Sequence, residues 1–278
     1  MNRLSPPGML DARLVTGALL VTGMLAGALA LPSAALAAVL LIVVWFAAWE
    51  WARLTGMITV KSRLIYLVIM TACAVGLWAL SVGEWPLVPV LLGVLWWIVA
   101  LGLLAAYRPG ARQGRLKTIG LRLAGPLVLL PAWIAMINLH RLHPQPAWLV
   151  FLFLLVWVAD SAAFFVGRRH GKTQLAPLIS PAKTREGLLG AMVANAVLAV
   201  LGVLWFELPM MLWVYFISLC LLATLMAAAG DLFESLLKRY AGVKDSGVLL
   251  PGHGGVLDRI DSVLAAAPPF VLGLHWMN

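Results

Sequence analysis

Nine long apolar runs follow one another along the chain: approximately Leu14–Leu31, Ala34–Trp51, Leu64–Val82, Leu87–Tyr107, Leu123–Leu139, Trp148–Val166, Leu188–Phe206, Met210–Ala229 and Val256–Trp276. Their lengths lie near the ~20 residues that carry a helix across the hydrocarbon core of a bilayer. Pro32, Pro86, Pro109, Pro146 and Pro209 stand at their ends, as prolines do at helix boundaries. Backbone groups in lipid have no water to bond to, so each run is predicted to be a helix. The ninth run is the least regular. It opens on Asp258, Arg259 and Asp261, and its purely apolar part, Ser262–Trp276, is interrupted by Pro268-Pro269. The pattern therefore predicts an all-α, polytopic integral membrane protein with about nine spans, eight being the alternative, in one transmembrane domain over residues 1–278.

The first run needs a separate decision. Arg3 and Arg13 precede it, and Ala28-Leu29-Ala30 resembles a signal-peptidase site. The run is longer than the ~7–15 residues of a signal core, which favours retention as a first transmembrane helix.

Charge supplies a direction. With the N-terminus on the cytoplasmic side and the chain crossing at every run, 19 of the 20 Lys and Arg residues fall in cytoplasmic segments, leaving only Arg141 outside. A bias this one-sided obeys the positive-inside rule. Composition agrees: 63% of residues are apolar and 11% charged, against about 25% charged in soluble domains. Mean hydropathy is +0.99. A water-soluble fold is excluded, and the formal charge of +9 reads as cytoplasmic loops beside a bilayer, with no nucleic acid as partner. Cys73 and Cys220 lie inside apolar runs and are expected to be buried, inert thiols.

The remaining polarity sits in loops at 108–122, 167–187 and 231–258. The last concentrates chemistry. Asp231, Glu234, Asp245, Asp258 and Asp261 fall within thirty-one positions, interleaved with Ser235, Lys238, Arg239 and Lys244 and with the turn Pro251-Gly252-His253-Gly254-Gly255. Acids beside a transmembrane segment are costly and mark sites. Asp231, Ser235 and Lys238 follow i, i+4, i+7 spacing and share a helix face; Asp258 and Asp261 share a face of the ninth helix. Carboxylates from two helices can hold magnesium against a polyphosphate, the basic residues suit phosphate oxygens, and the glycine turn suits an anion-binding nest. Taken singly, Lys238-Arg239 is an ordinary membrane anchor and Asp258-Arg259 a boundary ion pair. Their concentration favours a site.

Ser235-x-Leu237-Lys238-Arg239, then Lys244-Asp245-x-Gly247, then Leu250-Pro251-x-His253-Gly254-Gly255-Val256-x-Asp258-Arg259-Ile260-Asp261 resembles the phosphatidate cytidylyltransferase (CDP-diacylglycerol synthase) signature at every specified position. Upstream, Asp160-Ser161-x-Ala163, Gly167-Arg168, Gly171-Lys172, Leu175-x-Pro177 and Ile179-Ser180-Pro181-x-Lys183-Thr184 resemble the other characteristic stretch, with Phe164 where the family often has tyrosine. The close resemblance covers roughly 157–262. Before it, the helix pattern and Glu50-Trp51 are similar to the family.

The resemblance implies an enzyme that joins CTP and phosphatidic acid into CDP-diacylglycerol and pyrophosphate, at the cytoplasmic face of a bacterial inner membrane, with a homodimer as its assembly. It implies magnesium, with potassium as a candidate second cation. Asp231 and Asp258 are the expected metal ligands, and Asp261 and Asp160 the second choices. Lys238, Arg239, Lys244 and Arg259 are expected to neutralise phosphate. Ser180, Lys183 and Thr184 are expected at phosphate or nucleotide, with Ser235, Asp245, His253, Gly254 and Gly255 as further substrate contacts. Two rivals stand beside this reading: a CTP-dependent lipid kinase, or cytidylyltransferase for another lipid phosphate, and an ion-coupled transporter. A transporter would place its acids near the midplane, whereas these gather at one edge.

Overall fold

The computed structural model of the chain describes residues 7–82, 86–108, 115–142, 146–249 and 254–277. Among them are nine α-helices: α1 (Pro7–Ala30), α2 (Ser33–Leu54), α3 (Val60–Val82), α4 (Val88–Ala105), α5 (Arg115–Arg141), α6 (Ala147–His170), α7 (Arg185–Trp205), α8 (Trp213–Ala241) and α9 (Leu257–His275). Seven of them, α2 to α8, are long and apolar enough to cross a membrane. The helix α9 does not join that set, because its opening turns carry Asp258, Arg259 and Asp261.

The chain is not purely helical. The strand β1 (Gln174–Ala176) pairs antiparallel with β2 (Ser180–Thr184), Gln174 opposite Thr184 and Ala176 opposite Ser180. This hairpin lies between two spans, where strand pairing satisfies backbone groups that no helix continues to satisfy.

The outer faces of α3, α4 and α7 present large apolar side chains such as Val68, Ile98 and Val197, as a lipid-facing surface requires. Cys73 is exposed on α3, contrary to the expectation of burial, because α3 turns much of its surface outward; Cys220 is buried. The most enclosed helix is α9, which packs against α8 and also touches α2, α4, α5 and α6. From Ser262 to Leu274 nearly every residue is buried. It is a core element despite its charged start.

Prolines inside α5 (Pro126, Pro131) and α9 (Pro268, Pro269) do not end either helix. Each proline lacks the N–H that would serve the carbonyl four residues earlier, and in a membrane interior that carbonyl needs another donor. Aromatic side chains provide it. The Tyr66 hydroxyl donates to the Arg122 carbonyl freed by Pro126, at 2.9 Å. The Trp97 indole donates to the Leu264 carbonyl freed by Pro268, at 3.1 Å. The pair of prolines that made the ninth run look interrupted is thus absorbed by α4.

Trp97→Phe keeps the packing but orphans the Leu264 carbonyl, which is expected to cost about 1–3 kcal/mol. Adding Pro268→Ala restores an amide donor within α9 and should recover part of that loss. Thermal unfolding in detergent micelles measures both; equal loss in the single and double variants contradicts the pairing.

Candidate active site

The helix α8 has 29 residues, about 44 Å at ~1.5 Å per residue. A hydrocarbon core is only ~30 Å thick. Its last three turns therefore project past the apolar layer, and Asp231 falls near the crossing point. Gly242, in the left-handed region at φ 68°, closes the helix. The chain then returns through a loop to α9, and the C-terminal ends of α2, α6 and α8 and the N-terminal ends of α7 and α9 meet at one end of the bundle.

Two polar clusters occupy this end. In the first, Lys183 of β2 forms an ion pair with Asp231 of α8, Nζ to Oδ2 2.5 Å. Ser235 makes a long contact with Asp231 Oδ1, 3.4 Å. Asp160 of α6 and Asp261 of α9 each lie within electrostatic range of Asp231 and of Lys183, and Arg259 within range of Asp160. Three acids from three helices therefore converge.

In the second cluster, Lys238 of α8 pairs with Glu234 one turn earlier and with Asp258 Oδ1 at 2.7 Å. The other Asp258 oxygen accepts from Ser246 N (3.0 Å), Ser246 Oγ (2.9 Å) and Gly255 N (2.8 Å). Gly254, at φ +81°, makes the turn that brings these groups to the carboxylate.

Asp231 pairs with Lys183, and Asp258 with Lys238 and the loop donors. Asp231 also lies within electrostatic range of Asp261 and Asp160. Asp258 accepts from several protein donors and also lines one of the cavities described below. Of the turn expected to form an anion nest, residues 251–253 lie outside the described residues, and the Gly255 amide donates to Asp258.

The remaining expected residues are placed as follows. Arg239 donates through Nε to the Ile179 carbonyl at the tip of the hairpin, 3.0 Å, and so ties α8 to β2. The Thr184 hydroxyl accepts from Gly187 N at 3.1 Å and caps α7. Ser180 and Thr184 line the same cavity as Lys183. Lys244 and Asp245 are exposed on the loop after α8. His253 lies outside the described residues. Glu186 anchors the start of the hairpin by accepting from Lys172 N and Thr173 N.

Sequence pattern alone assigns no partner to Glu234 and does not single out Ser246 or the partners of Glu50. Glu50 of α2 is 3% exposed and accepts from Val256 N (3.0 Å), Leu257 N (2.8 Å) and Ser246 Oγ (3.0 Å). The signal that points to it is its position as the sole acid in the run Ala34–Trp51.

Two cavities share Asp160. One, about 390 Å³, is lined by Asp160, Ser180, Lys183, Thr184 and Asp231, with Phe164 and Leu188 among its apolar walls. The other, about 350 Å³, has Asp160, Asp258, Arg259 and Asp261 at its polar part and Val21, Met24, Leu40 and Val44 of α1 and α2 along its apolar wall. Among the described residues no group of three or more His, Cys, Asp or Glu side chains encloses a metal position by itself.

The sequence profile of the cytidylyltransferase family matches residues 11–277. The chain belongs to that family. It is similar to the phosphatidate cytidylyltransferase of Pseudomonas aeruginosa, with 36% identity over 270 residues, which is 96% of this chain and 97% of the relative. The phosphatidate cytidylyltransferase of Haemophilus influenzae is 39% identical over 186 residues, covering 64% of this chain and 65% of its own. That of Staphylococcus saprophyticus is 40% identical over 121 residues, or 44% and 46% of the two chains.

Lys238 is the shared cation of two half-buried or buried acids. Lys238→Met leaves Glu234 and Asp258 facing each other without it, and breaking such a pair costs about 3–5 kcal/mol. The expected result is a clear fall in the thermal unfolding midpoint in micelles, largely avoided in Lys238→Arg. An unchanged midpoint in Lys238→Met contradicts the assignment.

Proposed function

We propose that this protein transfers the cytidylyl group of CTP to phosphatidate, forming CDP-diacylglycerol and pyrophosphate, in the inner membrane of a bacterium and with its site facing the cytoplasm. The observation that carries the reading is the meeting of Asp160, Asp231 and Asp261 at one end of the helix bundle, in a chain similar over 96% of its length to a phosphatidate cytidylyltransferase. The near-complete one-sidedness of Lys and Arg supports the cytoplasmic direction. It also supports crossings by α1 and α9 that bring the total to nine. A homodimer is the assembly that the family resemblance implies.

The nucleophile needs no side-chain base. A phosphate monoester loses its second proton near pH ~6, so phosphatidate is already an oxyanion at neutral pH. One of its oxygens attacks the α-phosphorus of CTP, a P–O bond forms, and the bond to the β-phosphate breaks to release pyrophosphate. The barrier lies in bringing two anions into line and in stabilising the developing charge.

The acid clusters fit a divalent cation. Among the described residues Asp160, Asp231, Glu234, Asp258 and Asp261 face Lys183, Lys238 and Arg259. Acids outnumber bases in this set, a balance that favours a bound cation. Hard carboxylate oxygens suit magnesium, which commonly takes one or two carboxylates and completes its shell with water and substrate phosphate. Asp231 and Asp261, with Asp160 beside them, would hold it. There magnesium would polarise the phosphate oxygens of CTP and stabilise the departing pyrophosphate.

The cavities divide the substrates. The hairpin-side cavity offers the Lys183 ammonium and the hydroxyls of Ser180 and Thr184 to the triphosphate. The cavity beside α1 and α2 offers Arg259 to a lipid phosphate and an apolar wall to acyl chains, which remain in hydrocarbon while the headgroup reaches the acids. Asp160 stands where the two meet. Basic residues near the surface also draw anionic lipid, by about 1 kcal/mol each.

Purified protein given CTP, phosphatidate and magnesium, each omitted in turn, tests the reading. CMP retained on the lipid by mass spectrometry is the expected product; release of CDP with a phosphorylated lipid overturns it. Asp231→Asn and Asp261→Asn are expected to lower turnover by at least about a hundredfold, the scale of losing a positioned charge stabiliser, with the protein still folded.

A further inference from the structure

Glu50 lies more than a hundred residues before the segment that carries the other acids, on a helix that contributes no other charge to the site. It is nevertheless deeply buried, at 3% exposure. Its oxygens take the amides of Val256 and Leu257, at 3.0 and 2.8 Å. These are opening amides of α9, which have no acceptor within the helix itself. The negative charge also faces the positive end of the helix dipole. The third bond, from Ser246 Oγ at 3.0 Å, reaches the loop between α8 and α9.

The loop is built to admit this carboxylate. A Cβ at Gly247 or at Gly255 would overlap the Glu50 carboxylate. Ser246 then passes the constraint on: its amide and its hydroxyl both lie at hydrogen-bonding distance from Asp258 Oδ2. The hydroxyl has one proton, so it serves Glu50 and Asp258 alternately. Asp258 in turn binds Lys238 of α8. A continuous chain of contacts therefore runs from α2 through the loop to the first turn of α9, and Asp261 follows three residues later on that same helix.

We propose that Glu50 is a positioning residue for the transfer reaction: it clamps the α8–α9 loop and the start of α9 to α2, and so fixes Asp261 opposite Asp231. Glu50 does not itself line either cavity that contains Asp160, so its effect passes through the elements it holds. Acids on separate helices keep a working separation only if their helices cannot slide, and a displacement of about 1 Å can cost roughly a hundredfold in rate. This inference rests on the cytidylyl transfer proposed above.

The test uses the full-length protein in micelles, assayed well below the unfolding temperature of each variant. Glu50→Gln preserves size but places an amide NH2 where one carboxylate oxygen accepts. It is expected to lower kcat by about 10–100-fold while the KM values for CTP and phosphatidate move less than about threefold, the pattern of a lost alignment rather than lost binding. Glu50→Asp, which keeps the charge, is expected to recover part of kcat. Hydrogen exchange at residues 254–260 should accelerate in Glu50→Gln. A kcat equal to wild type overturns the proposal, as does a loss that is fully accounted for by the unfolded fraction of the preparation. If Glu50→Gln does not fold, Ser246→Ala decides by the same criteria, with a kcat decrease of about 3–10-fold expected. Wild-type protein that makes no CDP-diacylglycerol would instead defeat the proposed function and not the clamp.

Discussion

Buried carboxylates must be compensated where they stand, and the architecture follows from that requirement. Like charges roughly 5 Å apart repel by about 3 kcal/mol at an effective dielectric near 20, more than the ~1 kcal/mol net of a typical hydrogen bond. Asp160, Asp231 and Asp261 come from three different helices, so their repulsion works directly against helix packing. Part of the negative charge is offset locally, by Lys183 at Asp231, by Lys238 between Glu234 and Asp258, and by backbone amides at Glu50 and Asp258. The charge left over is the charge that a cation and two phosphate-bearing substrates would meet.

The same accounting of polar groups shapes the interior of the bundle. The α5 and α9 prolines free carbonyls in a region without water, and Tyr66 and Trp97 serve two of them. Phe233, two residues after Asp231, lies against Trp51, Trp96 and Trp97, with ring centroids 5.8–6.3 Å away. An aromatic cluster from α2, α4 and α8 thus packs beside the acids, and Trp97 links it to α9 through the Leu264 carbonyl. The aromatic packing and the polar clusters are contributed by the same few helices.

Much of this was legible in the sequence. The apolar runs locate the helices, and the length of α8 beyond Ala229 follows from the i, i+4, i+7 spacing of Asp231, Ser235 and Lys238. The short hairpin was not legible, because Gln174–Thr184 is neither apolar enough to span nor patterned as a conventional strand pair. Within the site, the motif spacing brings attention to Asp258 and Asp261 equally. Only the fold distinguishes them: Asp258 accepts from the loop donors, while Asp261 lies within electrostatic range of Asp231. Arg239 illustrates the same limit, since no local pattern reveals that its guanidinium holds the hairpin tip. Contacts as distant in sequence as Glu50 with Leu257 carry no local signature at all.

The central claim is that Asp231 and Asp261, not exposed acids elsewhere, form the cation position. Binding of Mn2+ in place of magnesium, followed by electron paramagnetic resonance in the presence of CTP, tests it most directly. The account predicts bound Mn2+ in the wild-type protein and in Glu207→Gln, whose acid lies at the opposite ends of α7 and α8, and its loss in Asp261→Asn. Undiminished Mn2+ binding by Asp261→Asn would contradict it.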